Sequence, residues 1–461
     1  MRTLVARCCI GALCLATSGV VAAQDTPETQ PPRDERLRLP PPGTPVVTAG
    51  GALDFGSAFD QDSALVTGTR PSDATRGITV LRRARPEFDA VGSRFAGLRL
   101  DAAATLRAGL DTNAYRVTDG PSDVFALGEA EASLRSDWNR HALEIEGNLR
   151  HREYASETLR NLTTYGIEAQ GELDISPRAR INGEVAYRRD ARDQFSAEEI
   201  ALVLRPVRFD ETRARVQGRY ESGRFVLSAN GGYSRVDYES SATLNGVVQS
   251  LRDRDYDSYD AGGQVGYRVS AGAVAFVSAS NELRRYLVDA TPRRDSDALE
   301  VLAGIESEIT PLLFGRVAVG FLRTRFSDPS VASRDSFAID TRLDYLLTEL
   351  TTIHLTARRT LRDAALLTAP ATLVTNARLS ADHELLRNVI VSPQVFYENA
   401  DYIGTTQSAD LFGGGVDGQW LINRRLRANA SIIYRTRATE NLSAGRDYDA
   451  LVAMAGVTVV L

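Results

Sequence analysis

The chain has 461 residues, a formal net charge of −6 and a mean hydropathy of −0.21, with 25% charged residues. This mean hydropathy excludes a polytopic helical membrane protein, which needs repeated runs of about 20 apolar residues. The three cysteines, Cys8, Cys9 and Cys14, lie at the start of the chain, so disulfides and cysteine metal sites cannot stabilise the rest. Length and composition would suit a soluble protein of two or three domains, but the pattern along the chain contradicts that interpretation.

The first residues have the three parts of a secretory signal peptide. Arg2 and Arg7 precede an apolar stretch over 8–21, and small residues at 21–23 offer a cleavage site before Gln24. We therefore expect residues 1–23 to be a signal peptide that directs export. Its removal would take every cysteine out of the mature protein.

A leader over residues 24–82 follows the signal peptide. Seven of the 17 prolines lie between 24 and about 46, and such a segment cannot bury enough apolar surface to fold. Residues 47–82 are rich in Gly, Ser, Thr and Asp, and the sequence predicts no more than partial order there. We expect the leader to be largely disordered and to lie in the periplasm.

Alternating apolar and polar residues dominate the chain after about residue 96. In 179–190, Ile181, Val185 and Tyr187 alternate with charged and amide side chains, and 213–220 and 425–432 repeat the pattern. A helix would show a spacing of 3.6 residues, whereas a spacing of two is typical of strands. The sequence therefore predicts a chain of β-strands.

The connections between these strands alternate between short turns and longer loops. The region 96–461 divides into about 18 units of strand and connection of roughly 20 residues each, as a transmembrane barrel of tilted strands requires, and we assign residues 83–461 to this barrel. A soluble β-sandwich would not alternate its connections so regularly. We therefore predict an all-β fold: an up-and-down antiparallel β-barrel of about 18 strands in the outer membrane of a Gram-negative bacterium.

The last strand and the tryptophans support the membrane interpretation. Apolar side chains alternate from Leu451 to Leu461, as in terminal strands of outer-membrane barrels, although an aromatic final residue is more usual. Trp138 and Trp420 lie beside short turns, where an interfacial aromatic girdle is expected. Pro393 falls inside a predicted strand, and we expect a bulge or a strand end there.

The polar face of the strands is the broadest candidate functional surface, because it should line a water-filled lumen. Arginine can bind sugar hydroxyls or carboxylates with its planar fork, which makes an acidic polysaccharide path conceivable. The alternative is that these charges pair with one another and keep a hydrated wall satisfied. The candidate lumen-lining residues are Arg180, Glu184, Arg188, Arg213, Arg215, Arg219, Asp340, Arg342, Asp344, Arg358, Arg378, Asp382, Arg425 and Arg427.

No motif in the chain predicts catalysis, a cofactor or a metal. The run 252–260 suggests a calcium loop, but Ser258 and Gln264 stand where the glycine and glutamate of such a loop belong, so a solvated loop is favoured. The four histidines have no metal-ligand spacing, and structural roles are favoured for His151 and His354. We expect no enzyme activity, no cofactor and no nucleic-acid partner.

Three stretches resemble the family called putative β-barrel porin 2. Residues 83–92 contain Arg-Pro-Glu-Phe-Asp and a closing Gly92, as family members do before their first strand. Residues 110–115 and 136–141 are similar to a later family segment and to its first periplasmic turn. The second stretch lacks the leading tyrosine of the family and has Ala114 in place of a larger apolar residue.

The resemblance implies an outer-membrane barrel often associated with export of exopolysaccharide or capsule, working with a periplasmic polysaccharide-export protein. The partners expected are therefore outer-membrane lipid, that export protein, and polysaccharide in the lumen. Two alternatives remain open: a general diffusion porin for small solutes, and a surface structural barrel without a transport role. A porin usually narrows its pore with one long inward-folded loop, and the longest loops here, 191–209 and 239–254, are only moderate.

Overall fold

A computed structural model describes residues 78–192, 195–197, 203–242, 248–289, 293–366, 368–442 and 447–461. The predicted signal peptide and the leader as far as residue 77 lie outside the described residues. None of the helical segments in the described ranges is long and apolar enough to cross a bilayer.

Long strands make up nearly all of the described chain. They are 12 to 15 residues long, which is enough to span the apolar layer and extend beyond it. In the described ranges there are eighteen of them: β1 Leu98–Asp111, β2 Asp123–Ser136, β3 Ala142–Tyr154, β4 Leu162–Ser176, β5 Ala179–Ala191, β6 Arg208–Ser222, β7 Phe225–Tyr238, β8 Tyr256–Arg268, β9 Ala273–Tyr286, β10 Ser296–Thr310, β11 Leu313–Phe326, β12 Arg334–Thr348, β13 Thr351–Arg362, β14 Thr372–Leu386, β15 Val389–Tyr402, β16 Ser408–Leu421, β17 Leu426–Glu440 and β18 Tyr448–Val460.

Every long strand pairs antiparallel with its neighbours in the chain, and the last strand returns to the first. The pairing of β18 with β1 runs from Ala103 opposite Val460 to Asp111 opposite Val452. Because the sheet closes on itself, every backbone donor and acceptor in the wall can find a partner without water. The predicted closed barrel of about 18 strands is therefore confirmed.

The alternation seen in the sequence decides which side chains face outward. In β18, Val457 and Val459 are about half exposed on the outer face, whereas Met454 and Val460 are buried on the inner face. The outer side chains meet lipid and the inner ones meet the lumen, since successive strand residues point to opposite faces. Trp420 and Trp138 are both 51% exposed and lie near short turns, as the girdle prediction requires.

Short and long connections collect at opposite ends of the barrel. We call the end with the turns such as 177–178 and 387–388 the short-turn end, and the other the long-loop end. Three further short strands lie in the described ranges. Ser93–Phe95 pairs with the start of β1, and Ser241–Ala242 and Val248–Gln249 pair with each other in one of the loops at the long-loop end.

The prediction of a bulge or strand end at Pro393 is wrong. Strand β15 continues through it, and the pairing with β14 has the same register on both sides of the proline. Pro393 still pairs with Val416 on the other side. A proline costs one ladder hydrogen bond, and a long strand held on both sides absorbs that loss.

Candidate functional site

The predicted lumen residues lie on the inner wall, with one exception. Arg425 is exposed in the turn before β17, where the side chain of Asn423 accepts a hydrogen bond from its backbone amide. This turn delays the strand until Leu426, so the placement of Arg425 in the lumen is wrong. Inward strand positions are occupied by Arg180, Glu184, Arg188, Arg213, Arg215, Arg219, Asp340, Arg342, Asp344, Arg358, Arg378, Asp382 and Arg427.

Many of these side chains form ion pairs between neighbouring strands. Arg213 lies 2.7 Å from Glu184 and 3.4 Å from Glu168, which joins three strands. Arg188 pairs with Glu211 in the same way. Cross-strand pairs of opposite charge stabilise a sheet. In this part of the wall, the charged side chains therefore pair with one another, as the alternative to a polysaccharide path predicts.

A second network surrounds a buried arginine of β11. Arg316 lies 2.8 Å from Glu306 and 3.1 Å from Asp340, and its guanidinium stacks 3.9 Å from the ring centre of Phe276. Arg358 faces Asp340 across the strand pair, yet its Nε and one Nη find no hydrogen-bond partner among the described residues. The wall therefore keeps some arginine donors available although most charges are paired.

His354 faces the lumen and joins three strands. Its Nδ1 lies 2.6 Å from Asp344, its Nε2 lies 2.9 Å from Asp382, and Ser392 donates to the other oxygen of Asp382 at 2.6 Å. The described residues include no group of His, Cys, Asp and Glu that could hold a metal ion. The cluster links β12, β13, β14 and β15 in the wall.

A loop segment lies inside the barrel at the long-loop end. Phe195, Ser196 and Ala197, here called the inserted segment, belong to the β5–β6 connection and are buried. The Ala197 amide donates to Glu398 at 2.5 Å, and the Tyr448 hydroxyl donates to the Phe195 carbonyl at 3.0 Å. Because Glu398 and Tyr448 belong to β15 and β18, the segment reaches across the lumen.

Apolar and cationic side chains hold the inserted segment. The guanidinium of Arg116 lies 3.7 Å from the centre of the Phe195 ring, and that of Arg435 lies 4.2 Å from it. Such cation–π contacts strengthen when they are buried. The ring belongs to an apolar cluster of Ala114, Phe125, Leu127, Tyr154, Phe195, Ala197, Ala364, Ala369, Val374, Phe396, Ala400, Tyr402, Ala409, Leu411, Tyr448, Ala450, Val452 and Met454.

A buried aspartate connects several loops at the same end. Asp363 lies in the β13–β14 loop, and one of its oxygens accepts hydrogen bonds from Arg254 Nε at 3.0 Å and Nη2 at 2.7 Å. Arg254 precedes β8, in a single 3₁₀ turn over Arg252–Arg254. This is part of the run 252–260, for which the sequence favours a solvated loop leading into a strand. The strand does begin at Tyr256, but the structure buries Arg254.

Two tyrosines and a second arginine complete the surroundings of this aspartate. Tyr286 donates to the other oxygen at 2.8 Å, Tyr238 donates at 3.3 Å, and Arg294 Nη1 lies 3.6 Å away. We call these five residues the Asp363 hub. Burial alone would raise the pKa of Asp363, but the nearby guanidinium groups, Arg254 foremost, lower it to about 2. The aspartate therefore stays charged at neutral pH.

The segment before the first strand lies against the inner wall at the short-turn end. This strap, residues 78–97, begins where the Val80 amide donates to Thr352 Oγ1 at 3.0 Å. Arg85 is buried and donates to Glu384 at 2.7 Å and to the Val80 carbonyl at 3.0 Å. Arg83 also approaches Glu384, at 3.4 Å.

The Arg-Pro-Glu-Phe-Asp stretch gives the strap its shape. The Arg85 amide donates to Asp89 Oδ2 at 2.6 Å, and the Asp89 amide donates back to the Arg85 carbonyl at 2.7 Å. Arg424 donates to the Pro86 carbonyl at 2.8 Å. Gly92 has a φ of +67°, and a Cβ there would stand 2.5 Å from Asp101 Oδ1. Arg85, Pro86, Asp89 and Gly92 of the motif thus all contribute to seating the strap.

The closed sheet, the lipid-facing apolar side chains and the polar inner wall define a porin-like β-barrel of the outer membrane. The family model described as putative beta-barrel porin 2 matches residues 85–461. The chain belongs to this family, as the stretch at 83–92 indicated. No curated protein matches the sequence.

Solved outer-membrane structures are similar to this chain at low identity. The siderophore receptor PirA from Pseudomonas aeruginosa has a TM-score of 0.40 and 10% identity, covering 80% of this chain and 81% of its own. PirA from Acinetobacter baumannii has a TM-score of 0.41 and 6% identity, covering 78% and 80%. The copper transporter OprC has a TM-score of 0.39 and 11% identity, covering 80% and 81%. These similarities say nothing about what this chain transports.

Proposed function

We propose that this protein is a gated outer-membrane conduit that exports a polysaccharide together with a periplasmic polysaccharide-export protein. The observation that supports it most is that chain segments held by buried charges lie inside both ends of the lumen. The inserted segment and the Asp363 hub lie at one end, and the strap lies at the other. A general diffusion porin narrows its pore with one inward-folded loop, whereas here chain segments occupy both ends of the lumen, which suits a passage that opens for its cargo.

The proposal includes an orientation. Outer-membrane barrels have short periplasmic turns and longer extracellular loops, so we place the short-turn end in the periplasm. The strap then lies where a periplasmic partner would meet the barrel. Arg424, which binds the Pro86 carbonyl, and the exposed side chains of Glu87 and Arg387 are at this surface.

The inner wall suits a hydrated, hydroxyl-rich cargo. Ion pairs between neighbouring strands, such as Glu184 with Arg213 and Glu306 with Arg316, stabilise this wall. Arginine donors such as those of Arg358 can still bond to sugar oxygens as they pass. No step of this proposal requires catalysis or a cofactor.

Deletion of the gene tests the function. We expect secreted polysaccharide to be lost, uptake of small solutes to stay at the parental rate, and a plasmid copy of the gene to restore the polymer. Secreted sugar would be measured as total carbohydrate in the culture medium, and uptake as the rate of entry of a small chromogenic substrate. Normal polymer with slowed uptake would favour the general porin, and no change in either would favour a surface structural barrel.

A further inference from the structure

The Asp363 hub contains more positive than negative charge. The side chains of Arg254 and Arg294 are 1% and 0% exposed, and both face the single carboxylate of Asp363. Arg192 adds a third guanidinium nearby, which donates to the Asp363 carbonyl at 3.2 Å. Buried cations are stable only when anions or acceptors surround them, so this site suits a further anionic group.

Arg294 is the residue that points to a ligand. Its Nη1 lies 3.6 Å from Asp363, which is too long for a hydrogen bond. The Nε and Nη1 groups have no hydrogen-bond partner among the described residues, and only Nη2 donates, to the Leu366 carbonyl at 3.1 Å. These free donors lie on different edges of the buried guanidinium, so each of them can still donate to a further acceptor oxygen.

Asp363 reaches the arginines from a loop. It follows the last residue of β13, and the next residue along, Ala364, packs in the apolar cluster. Tyr238 and Tyr286, by contrast, are the last residues of β7 and β9, and the wall holds them in place. The carboxylate therefore lies outside the strands of the wall, whereas the two tyrosines that bond to it lie within them.

We propose that Arg254 and Arg294 form a binding site for the carboxylate groups of an acidic, uronate-containing polysaccharide, and that Asp363 occupies this site when no polymer is present. The site thus recognises the same chemical group in both states. The passing polymer displaces Asp363 and releases the β13–β14 loop. This inference rests on the proposed function, because it assigns the class of cargo.

Binding of short oligogalacturonates to the purified full chain in detergent micelles tests the site by titration calorimetry. We expect Asp363→Asn to tighten binding at least about tenfold, because it removes the internal competitor for both arginines. When Arg294→Gln is combined with Asp363→Asn, the double variant should lose this increase in affinity. Asp335→Asn alters an exposed aspartate of the long-loop end that pairs with Arg323, and it should bind as the wild type does.

Several outcomes would overturn the inference. One is equal affinity of wild type and Asp363→Asn for oligogalacturonates. Another is that Asp363→Asn tightens the binding of neutral malto-oligosaccharides as much as that of oligogalacturonates. Heat-modifiable gel mobility shows whether each variant has folded. If Asp363→Asn does not fold, Arg294→Gln alone must weaken the binding of oligogalacturonates by wild type. If the binding experiment fails but the deletion strain loses its secreted polymer, the carboxylate site is rejected while the proposed export function stands.

Discussion

The two ends of the lumen use the same chemical pair in opposite arrangements. At the long-loop end, a loop carries the carboxylate of Asp363 to arginines, and at the short-turn end the strap carries Arg83 and Arg85 to Glu384 of the wall. Each carboxylate thus lies between two guanidinium groups. At the long-loop end the loop segment carries the anion, whereas at the short-turn end the strap carries the cations.

Because of this difference, we expect the two ends to respond to different signals. In our proposal an acidic polymer competes with Asp363 for its arginines, and at the other end the strap would be released by a group that binds Arg85 or replaces it on Glu384. The apolar cluster adds to the closure of the long-loop end, whereas the buried contacts of the strap centre on Glu384 and Thr352. The strap should therefore be the easier of the two to release.

The largest expected effect comes from removing the Asp363 carboxylate. Asp363→Ala should destabilise the closed loops by roughly 3–5 kcal/mol, because it leaves buried arginines without their anion. The chain has no lysine, so trypsin cleaves after arginine alone, and cuts after Arg254 and Arg294 report the opening. Cleavage there should accelerate at least about a hundredfold. Asp335→Ala is the control, and equal cleavage of both variants would contradict the role of the hub.

A smaller effect is expected at the short-turn end. Glu384→Gln should weaken the seating of the strap by roughly 1.5–3 kcal/mol, the usual contribution of hydrogen bonds to a charged group. Hydrogen exchange of the Val80 amide, which donates to Thr352, should speed up accordingly. Glu87→Gln changes an exposed strap residue and should leave exchange unaltered. An unchanged rate in Glu384→Gln would show that Glu384 does not hold the strap.

Acid should open the long-loop end in a defined range of pH. The pKa of Asp363 is lowered to about 2 in the folded protein, so its contribution is complete above the unfolded value of about 3.9. That contribution, about 2 kcal/mol, is lost as the pH falls through about 2. The groups that face the carboxylate are Arg192, Arg254, Arg294, Tyr238 and Tyr286, and the arginines stay charged throughout.

Pepsin cleavage of the long loops between pH 5 and pH 2 would measure this opening. Protection should be constant down to about pH 4 and decline below it in wild type, because protonation removes the anion from the hub. Asp363→Asn should show no such decline in this range. A wild-type profile that matched the variant would show that another group controls the loops.

The smallest effect concerns the bend of the strap. Gly92→Ala should cost about 1 kcal/mol, because alanine adopts a φ of +67° poorly and its Cβ would crowd Asp101. Exchange of the Val80 amide should increase severalfold. Gly128→Ala is a matched control, since a Cβ at that strand position has no atom within 4 Å. Equal exchange in both variants would show that the bend at Gly92 is not needed to seat the strap.

The barrel itself could be predicted from the sequence because the patterns that define it lie within single strands and the turns between them. Alternation within each strand gives the face of every side chain, and regular turns give the number of strands. The prediction for Arg425 is wrong because alternation does not reveal where the strand begins, and Asn423 sets that boundary. The motif at 83–92 was recognised, but its bond to Glu384 joins residues about 300 positions apart.

The occupied ends of the lumen could not be predicted. Phe195 and Asp363 lie in connections of ordinary composition, and their burial depends on partners such as Arg435 and Arg254 in other strands and loops. The moderate length of 191–209 gave no reason to expect an inward-folded segment. The charged run at 252–260 did contain a signal, because it includes Arg254, which the structure buries.

The pairing of β18 with β1 has a consequence for how the molecule assembles. The hydroxyls of Thr105 and Thr458 meet at 2.8 Å although 353 positions separate them in the chain. Contacts between such distant residues make folding slow, because the whole intervening chain must first be brought together. The first strand cannot gain its second neighbour until the last strand arrives. Between export and insertion, the chain must therefore be kept from joining its strands to those of other molecules.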